Sequence, residues 1–149
     1  MTINQLSLFL ENKPGHLNAI CGTLSDAGIN IVTLSMADTE QFGILRLIIR
    51  EWKDAKAVLE GAGFVVNITP VVATEVEDRP GGMAAILDIL EKGGINIEYM
   101  YAFTRRRGNS AVLIFRFDDP AKAVSVLQSA GRKVIGQSEL FAGMDAIAS

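Results

Sequence analysis

Two short turns carry the residue types best suited to chemistry in this chain, Glu11-Asn12-Lys13-Pro14-Gly15-His16 and Glu77-Asp78-Arg79-Pro80-Gly81-Gly82. Pro-Gly bends the backbone sharply, and the glycine lets another group approach the main chain closely. An apolar helical stripe follows each turn. The N–H groups of a first helical turn, together with the helix dipole, favour an anion such as a carboxylate. Asn12 and Asp78 add an amide and a carboxylate beside the same loop. A ligand with both an ammonium and a carboxylate needs this mixture, whereas a phosphate is better served by more lysine, arginine and glycine. The turn also has a purely structural use, because Asn or Asp near an N-cap followed by Pro-Gly is a common helix start.

The remaining reactive side chains are sparse. His16 is the only histidine, and Gly82 stands in its place in the second turn. It is read either as a hydrogen-bonding partner for a ligand or as an exposed first-turn residue. Cys21 is the only cysteine and lies near an apolar helical stripe, where a small buried residue is expected. One histidine and one cysteine exclude the usual zinc ligand sets and an intramolecular disulfide. Glu11 and Glu77 are matched carboxylates in separate turns, not a catalytic pair. With no nucleophile–base pair and no cofactor loop, neither an enzyme nor a cofactor is expected. Arg105-Arg106-Arg107 is a short basic cluster in a hairpin loop, read as a solvated loop.

The elements that must hold these turns occur twice. Residues 11–31, ENKPGHLNAICGTLSDAGINI, return 66 positions later as EDRPGGMAAILDILEKGGINI, with ten of 21 positions identical. The same offset aligns Leu47–Arg50 with Leu113–Arg116 and Ala55–Val58 with Ala121–Val124. Gly61-Ala62-Gly63 meets Ser129-Ala130-Gly131 only at an offset of 68, so two extra residues enter the second helix of the second copy. The repeat is a whole unit, and the domains are placed at 1–69 and 70–149.

Each copy reads as the same order of elements. Leu6, Leu8 and Leu10 alternate as in a half-buried strand. Leu17, Ile20 and Leu24, matched by Met83, Ile86, Leu87 and Leu90, mark a helix, and Gly28 and Gly94 suit its left-handed end. INIVTLSMA and INIEYMYAF are second strands, joined through polar loops to third strands ILRLIIR and SAVLIFRF. Asp54 and Asp119-Pro120 are expected to start the second helices. FVVNIT and KVIGQSELF are read as fourth strands. The order βαββαβ, twice, gives an α+β fold of two ferredoxin-like units, antiparallel sheets with helices on one face. Near Pro70 one copy runs into the next without a flexible linker, so the units are expected to be held in a fixed relation.

Composition narrows the class further. Hydrophobic residues make up 49% of 149, and mean hydropathy is +0.28. Small units with this much apolar material call for mutual packing or oligomerisation. On the third strands Leu45, Leu47 and Ile49 can face the helices, leaving Ile48, Val112 and Ile114 on the opposite face. A covered apolar sheet face, and hence a homodimer, is expected. A net charge of −3 and a pI near 5.1 oppose nucleic-acid and membrane-surface partners. The absence of a signal peptide or membrane-length apolar run gives a cytoplasmic expectation. A metal-carrying ferredoxin-like domain would need Cys-x-x-Cys, and an RNA-binding one exposed central-strand aromatics; neither pattern is present.

ENKPGHL…AGINI and EDRPGGM…GGINI together resemble the signature of ACT domains, over both halves and nearly the full length. The resemblance implies paired regulatory modules that bind a free amino acid where the turn of one unit meets the second strand of another. It carries ligand contacts to Asn12, Lys13, Pro14, Gly15, His16, Leu17, Asn30, Ser35 and Met36, and to Asp78, Arg79, Pro80, Gly81, Gly82, Met83, Asn96 and Tyr101. The serine-sensing branch has a histidine two residues before the loop Asn, where this chain has Leu10 and Val76. Turn and strand-entrance Asn are expected to converge at one end of the sheet, in unequal sites, since Leu34-Ser35-Met36 faces Met100-Tyr101-Ala102 in the alignment. The functional expectation is a free-standing amino-acid sensor acting allosterically on an unidentified metabolic enzyme or regulator. A ligand-free assembly module of a metabolic complex is the alternative.

Overall fold

A computed structural model describes residues 1–38, 40–103 and 108–148. The chain divides into two compact units, Asn4–Thr69 and Pro70–Ser149, the latter joined by Met1–Ile3. In the first, β1 (Ile3–Glu11), α1 (His16–Asp26), β2 (Thr33–Asp38), β3 (Phe42–Ile48) and α2 (Trp52–Gly61) lead into β4 (Val66–Glu77). In the second, the later part of β4 is followed by α3 (Gly82–Lys92), β5 (Ile97–Ala102), β6 (Ser110–Phe117), α4 (Pro120–Ser129), β7 (Val134–Ile135) and α5 (Gln137–Ala148). The strand orders are β2-β3-β1-β4 and β7-β4-β6-β5. Both are the ferredoxin-like arrangement, and the βαββαβ reading is borne out in each unit.

Register fixes which residues face the helices. Leu6, Leu8 and Leu10 of β1 lie opposite Leu47, Leu45 and Gly43 of β3. With Ile20 and Leu24 of α1 and Ala55 and Leu59 of α2 they form the first core. Val72, Val76, Leu113, Phe115 and Phe117 form the second with Ile86, Leu90, Ala123 and Leu127. Each fully buried Leu, Ile or Phe contributes about 1.5–3 kcal/mol relative to exposure. Phe115 and Phe117 stack with ring centroids 5.2 Å apart. Gly28 and Gly94, with φ of 71° and 70°, turn the chain out of α1 and α3 as expected.

Three expectations are corrected. KVIGQSELF is not a strand throughout, because only Val134 and Ile135 pair with β4 before α5 begins. The run Gly136-Gln137-Ser138-Glu139 interrupts any period-2 alternation, and Leu140 N–H closes a helical bond to Gly136 C=O at 2.9 Å. Asp54 does not cap α2. Glu51 holds the N-cap position without a side-chain cap, because Trp52 packs against the first core and adds helix ahead of Asp54, which sits in the first turn. Ile48, Val112 and Ile114 are fully buried within the chain, so these side chains need no second chain to cover them. The first unit instead exposes Phe9 and Phe42, at 63% and 52%. Cys21 is half-buried. Arg105, Arg106 and Arg107 lie outside the described residues. No helix among the described residues is long and apolar enough to cross a membrane.

Candidate functional site

The two Pro-Gly turns are built alike, bond for bond. In the first, Asn12 N–H donates to Gln41 C=O at 3.0 Å and Lys13 N–H to Glu11 C=O at 2.9 Å. In the second, Asp78 N–H donates to Asn109 C=O at 3.3 Å and Arg79 N–H to Glu77 C=O at 2.9 Å. A cation two residues past each glutamate returns to it: Lys13 lies 2.8 Å from the Glu11 carboxylate, and Arg79 pairs with Glu77. The hydrogen bond and charge of Lys13 hold the Glu11 carboxyl below its ordinary range, with a smaller contribution from His16.

Gly15 and Gly81 occupy the N-cap positions of α1 and α3 at φ of 93° and 87°, a region that disfavours side chains. Neither helix receives a side-chain cap, so Asn12 and Asp78 are not N-caps. The common structural use of such residues does not apply here. Asn12 is exposed, and among the described residues its side chain forms no hydrogen bond.

The turns part company one residue later. His16 Nδ1 accepts the Glu11 backbone N–H at 3.2 Å. At the matching Gly82, an added Cβ would lie 2.1 Å from Glu77 O, so backbone occupies the space that the His16 side chain uses in the first unit.

Asn30 and Asn96 are not beside their own unit's turn. Each precedes the second strand, whose start lies at the opposite end of the sheet: Thr33 pairs with Ile48, whereas Glu11 at the turn pairs with Phe42. The reason is α1, which returns the chain antiparallel to β1 over eleven residues, roughly 16 Å at ~1.5 Å per residue. Asn96 N–H accordingly meets Asp118 beyond the end of β6. Leu17 and Met83 pack against the two cores. Ser35 and Met36 pair with Arg46 and Leu45 and so point to opposite faces of β2. Tyr101 pairs with Ile114, on the face away from α3 and α4.

What each turn does meet is the hairpin between the second and third strands. In the second unit this forms an open cleft of about 430 Å³ lined by Glu77, Asp78, Arg79, Asn109 and Ser110. Its size is within the usual range for small-molecule sites, ~300–1,000 Å³. Asn109 and Ser110 escaped the sequence reading because the repeat at offset 66 sets Gly43 and Ile44 against them, whereas in the structure Gln41 and Phe42 hold the same positions in the first unit. The cleft sets the Asp78 carboxylate beside the Arg79–Glu77 pair and two neutral polar side chains. That mixture can receive an ammonium and a carboxylate together. Among the described residues no group of three or more His, Cys, Asp or Glu is placed to hold a metal ion.

Duplicated ferredoxin-like units, each with a Pro-Gly turn between its first strand and first helix, define a tandem α+β architecture. The chain belongs to the ACT domain pair family, whose profile matches residues 1–143. Along 76 residues it is 36% identical to the acetolactate synthase small subunit of Buchnera aphidicola subsp. Baizongia pistaciae, a match covering 50% of this chain and 47% of that one. The match thus spans about half the length of that relative. The crystal structure of protein BT0572 from Bacteroides thetaiotaomicron is 36% identical, with a TM-score of 0.88 over 95% of this chain and 96% of that chain. The ligand-free regulatory subunit of aspartate kinase from Thermus thermophilus shares the fold, with a TM-score of 0.61 at 15% identity over 87% and 93% of the two chains.

Proposed function

We propose that this ACT domain pair is a non-catalytic sensor that binds a free amino acid and regulates a metabolic enzyme in the cytoplasm. The observation that carries the reading is the cleft at the second turn, where Asp78, Arg79, Asn109 and Ser110 offer a carboxylate, a guanidinium and two neutral polar groups in about 430 Å³. Family membership supports it, as does likeness to proteins named as an acetolactate synthase small subunit and an aspartate kinase regulatory subunit. Ligand binding would act allosterically only by favouring one arrangement of the protein over another. Calorimetric titration and thermal shift with the twenty amino acids test the reading. One or a few should bind; uniformly absent heat and an unmoved melting temperature would sink it.

A second reading, an assembly module without ligand, is favoured by a different observation. Phe9, Phe42, Leu34, Met36 and Val65 of the first unit are all exposed. Homodimerisation through these side chains belongs to either reading. Substituting Asn12 and Asp78 separates the two: retained assembly with lost ligand response supports sensing, and retained assembly with no response in the unaltered chain supports the assembly module.

A further inference from the structure

We propose that the second unit holds a two-compartment site for an amino acid with a side-chain carboxylate, in which Arg132 receives that carboxylate. The inference rests on the amino-acid reading above and narrows its ligand class. A smaller cavity of about 190 Å³ adjoins the cleft at the turn, since Glu77 and Ser110 line both. Its other charged walls are Glu75, Arg132 and Lys133, brought there by β4 and by the loop between α4 and β7.

The charges in this wall do not all cancel internally. Glu77 is held by Arg79. Lys133 lies 2.6 Å from Glu139 and 4.0 Å from Glu75. Arg132 is half-buried, and among the described residues its guanidinium forms no ion pair or hydrogen bond. Unlike lysine or histidine, a guanidinium cannot shed its proton when partly desolvated. A planar carboxylate from outside satisfies it with two parallel hydrogen bonds. The larger compartment offers the complementary chemistry, with Asp78 and Asn109 for the ammonium of the amino-acid head.

The duplicated unit shows that the fold does not require these residues. By strand register Glu75 and Ser110 stand where the first copy has Phe9 and Phe42, and Arg132 and Lys133 stand where it has Phe64 and Val65. One end of the scaffold is therefore ionic in the second unit and apolar in the first. Shared ancestry explains the matched turns, but not four polar or charged side chains gathered around one cavity in a single copy.

Calorimetry on the full chain with L-glutamate, L-aspartate, L-leucine and glutarate tests the inference, using the unaltered protein, Arg132→Gln and Arg132→Lys. L-Glutamate or L-aspartate should bind at least about tenfold more tightly than L-leucine, the worth of one charge-assisted hydrogen bond. Glutarate, lacking the ammonium, should bind weakly. Arg132→Gln should abolish the preference, and Arg132→Lys should restore part of it. In the unaltered chain the Arg132 side-chain Nε–H resonance should move on adding the preferred ligand, a readout that needs no variant to fold. Leucine binding as tightly as glutamate, or an unmoved Arg132 resonance at saturation, overturns this inference and leaves the amino-acid reading standing. No heat with any amino acid overturns both.

Discussion

Gly82 and His16 hold the same step of the repeat, yet they cannot exchange roles. An ideal Cβ at Gly82 would stand 2.1 Å from the Glu77 carbonyl oxygen, a contact relieved only by moving backbone. Gly82→Ala should therefore destabilise the protein by about 1–3 kcal/mol, the usual cost of overpacking. His16→Ala removes one hydrogen bond in an exposed setting and should cost less than about 1 kcal/mol. Urea unfolding of both variants checks the difference, and equal costs would refute the steric account. Glu11 gives a second prediction at this scale. Its carboxyl is held low first by the Lys13 hydrogen bond and then by the Lys13 charge, so Lys13→Met should raise it toward the ordinary value in an NMR titration. A carboxyl depressed in the folded state contributes stability above its unfolded pKa and loses that contribution as pH falls through the folded one. Lys13→Met should thus slightly lower stability at neutral pH and lose less of it on acidification than the parent does, an effect kept small by full exposure.

Elements divide into those announced by sequence and those settled by packing. The first strands and helices were legible because period-2 and helical stripes each appeared twice, and one copy corroborated the other. The start of α2 was not, since Trp52 anchors an extra half-turn through contacts that lie far away in sequence. The end of the chain was misread because Val134-Ile135 and Leu140-Phe141 are apolar pairs, and pairs suit a buried strand or a helix equally. Within one unit the Pro-Gly turn and the strand-entrance Asn do not meet, for a simpler reason. A helix between two parallel strands carries the chain back to the far end, so the second strand of a unit cannot begin beside the turn that precedes its helix. The residues that line the cavities at the second turn, Asn109, Ser110 and Arg132, come from a hairpin and a helix-to-strand loop, where spacing carries no periodic signal. Helix starts yield a direct test. Asp119 accepts the Lys122 N–H at 3.1 Å, whereas Glu51 makes no side-chain cap. Asp119→Ala should cost about 1 kcal/mol and Glu51→Ala close to nothing, read from chemical denaturation midpoints. A reversed order would show that capping does not govern these helices.

At the scale of the whole molecule, duplication has kept a scaffold and let its surfaces diverge. The second copy collects charge at its turn end, and the first copy collects apolar side chains there. Phe9 lies opposite Ile44, and Phe42 opposite Glu11, on the sheet face away from α1 and α2. Their counterparts in the second copy are Glu75 and Ser110, so folding places no demand for aromatic rings at these two sites. Exposed phenylalanines that the fold does not need are a cost in solubility unless another surface covers them. Burying each ring in an interface would contribute about 1.5–3 kcal/mol before the losses of association. The chain should therefore self-associate, with a sedimentation coefficient that rises with concentration in the micromolar range. Phe9→Ser with Phe42→Ser should shift that equilibrium toward monomer while leaving the melting temperature of the dilute protein unchanged, because neither side chain belongs to the first core. An unaltered chain that sediments as a monomer across this range, or a double variant that associates as strongly as its parent, would remove these rings from any interface between copies.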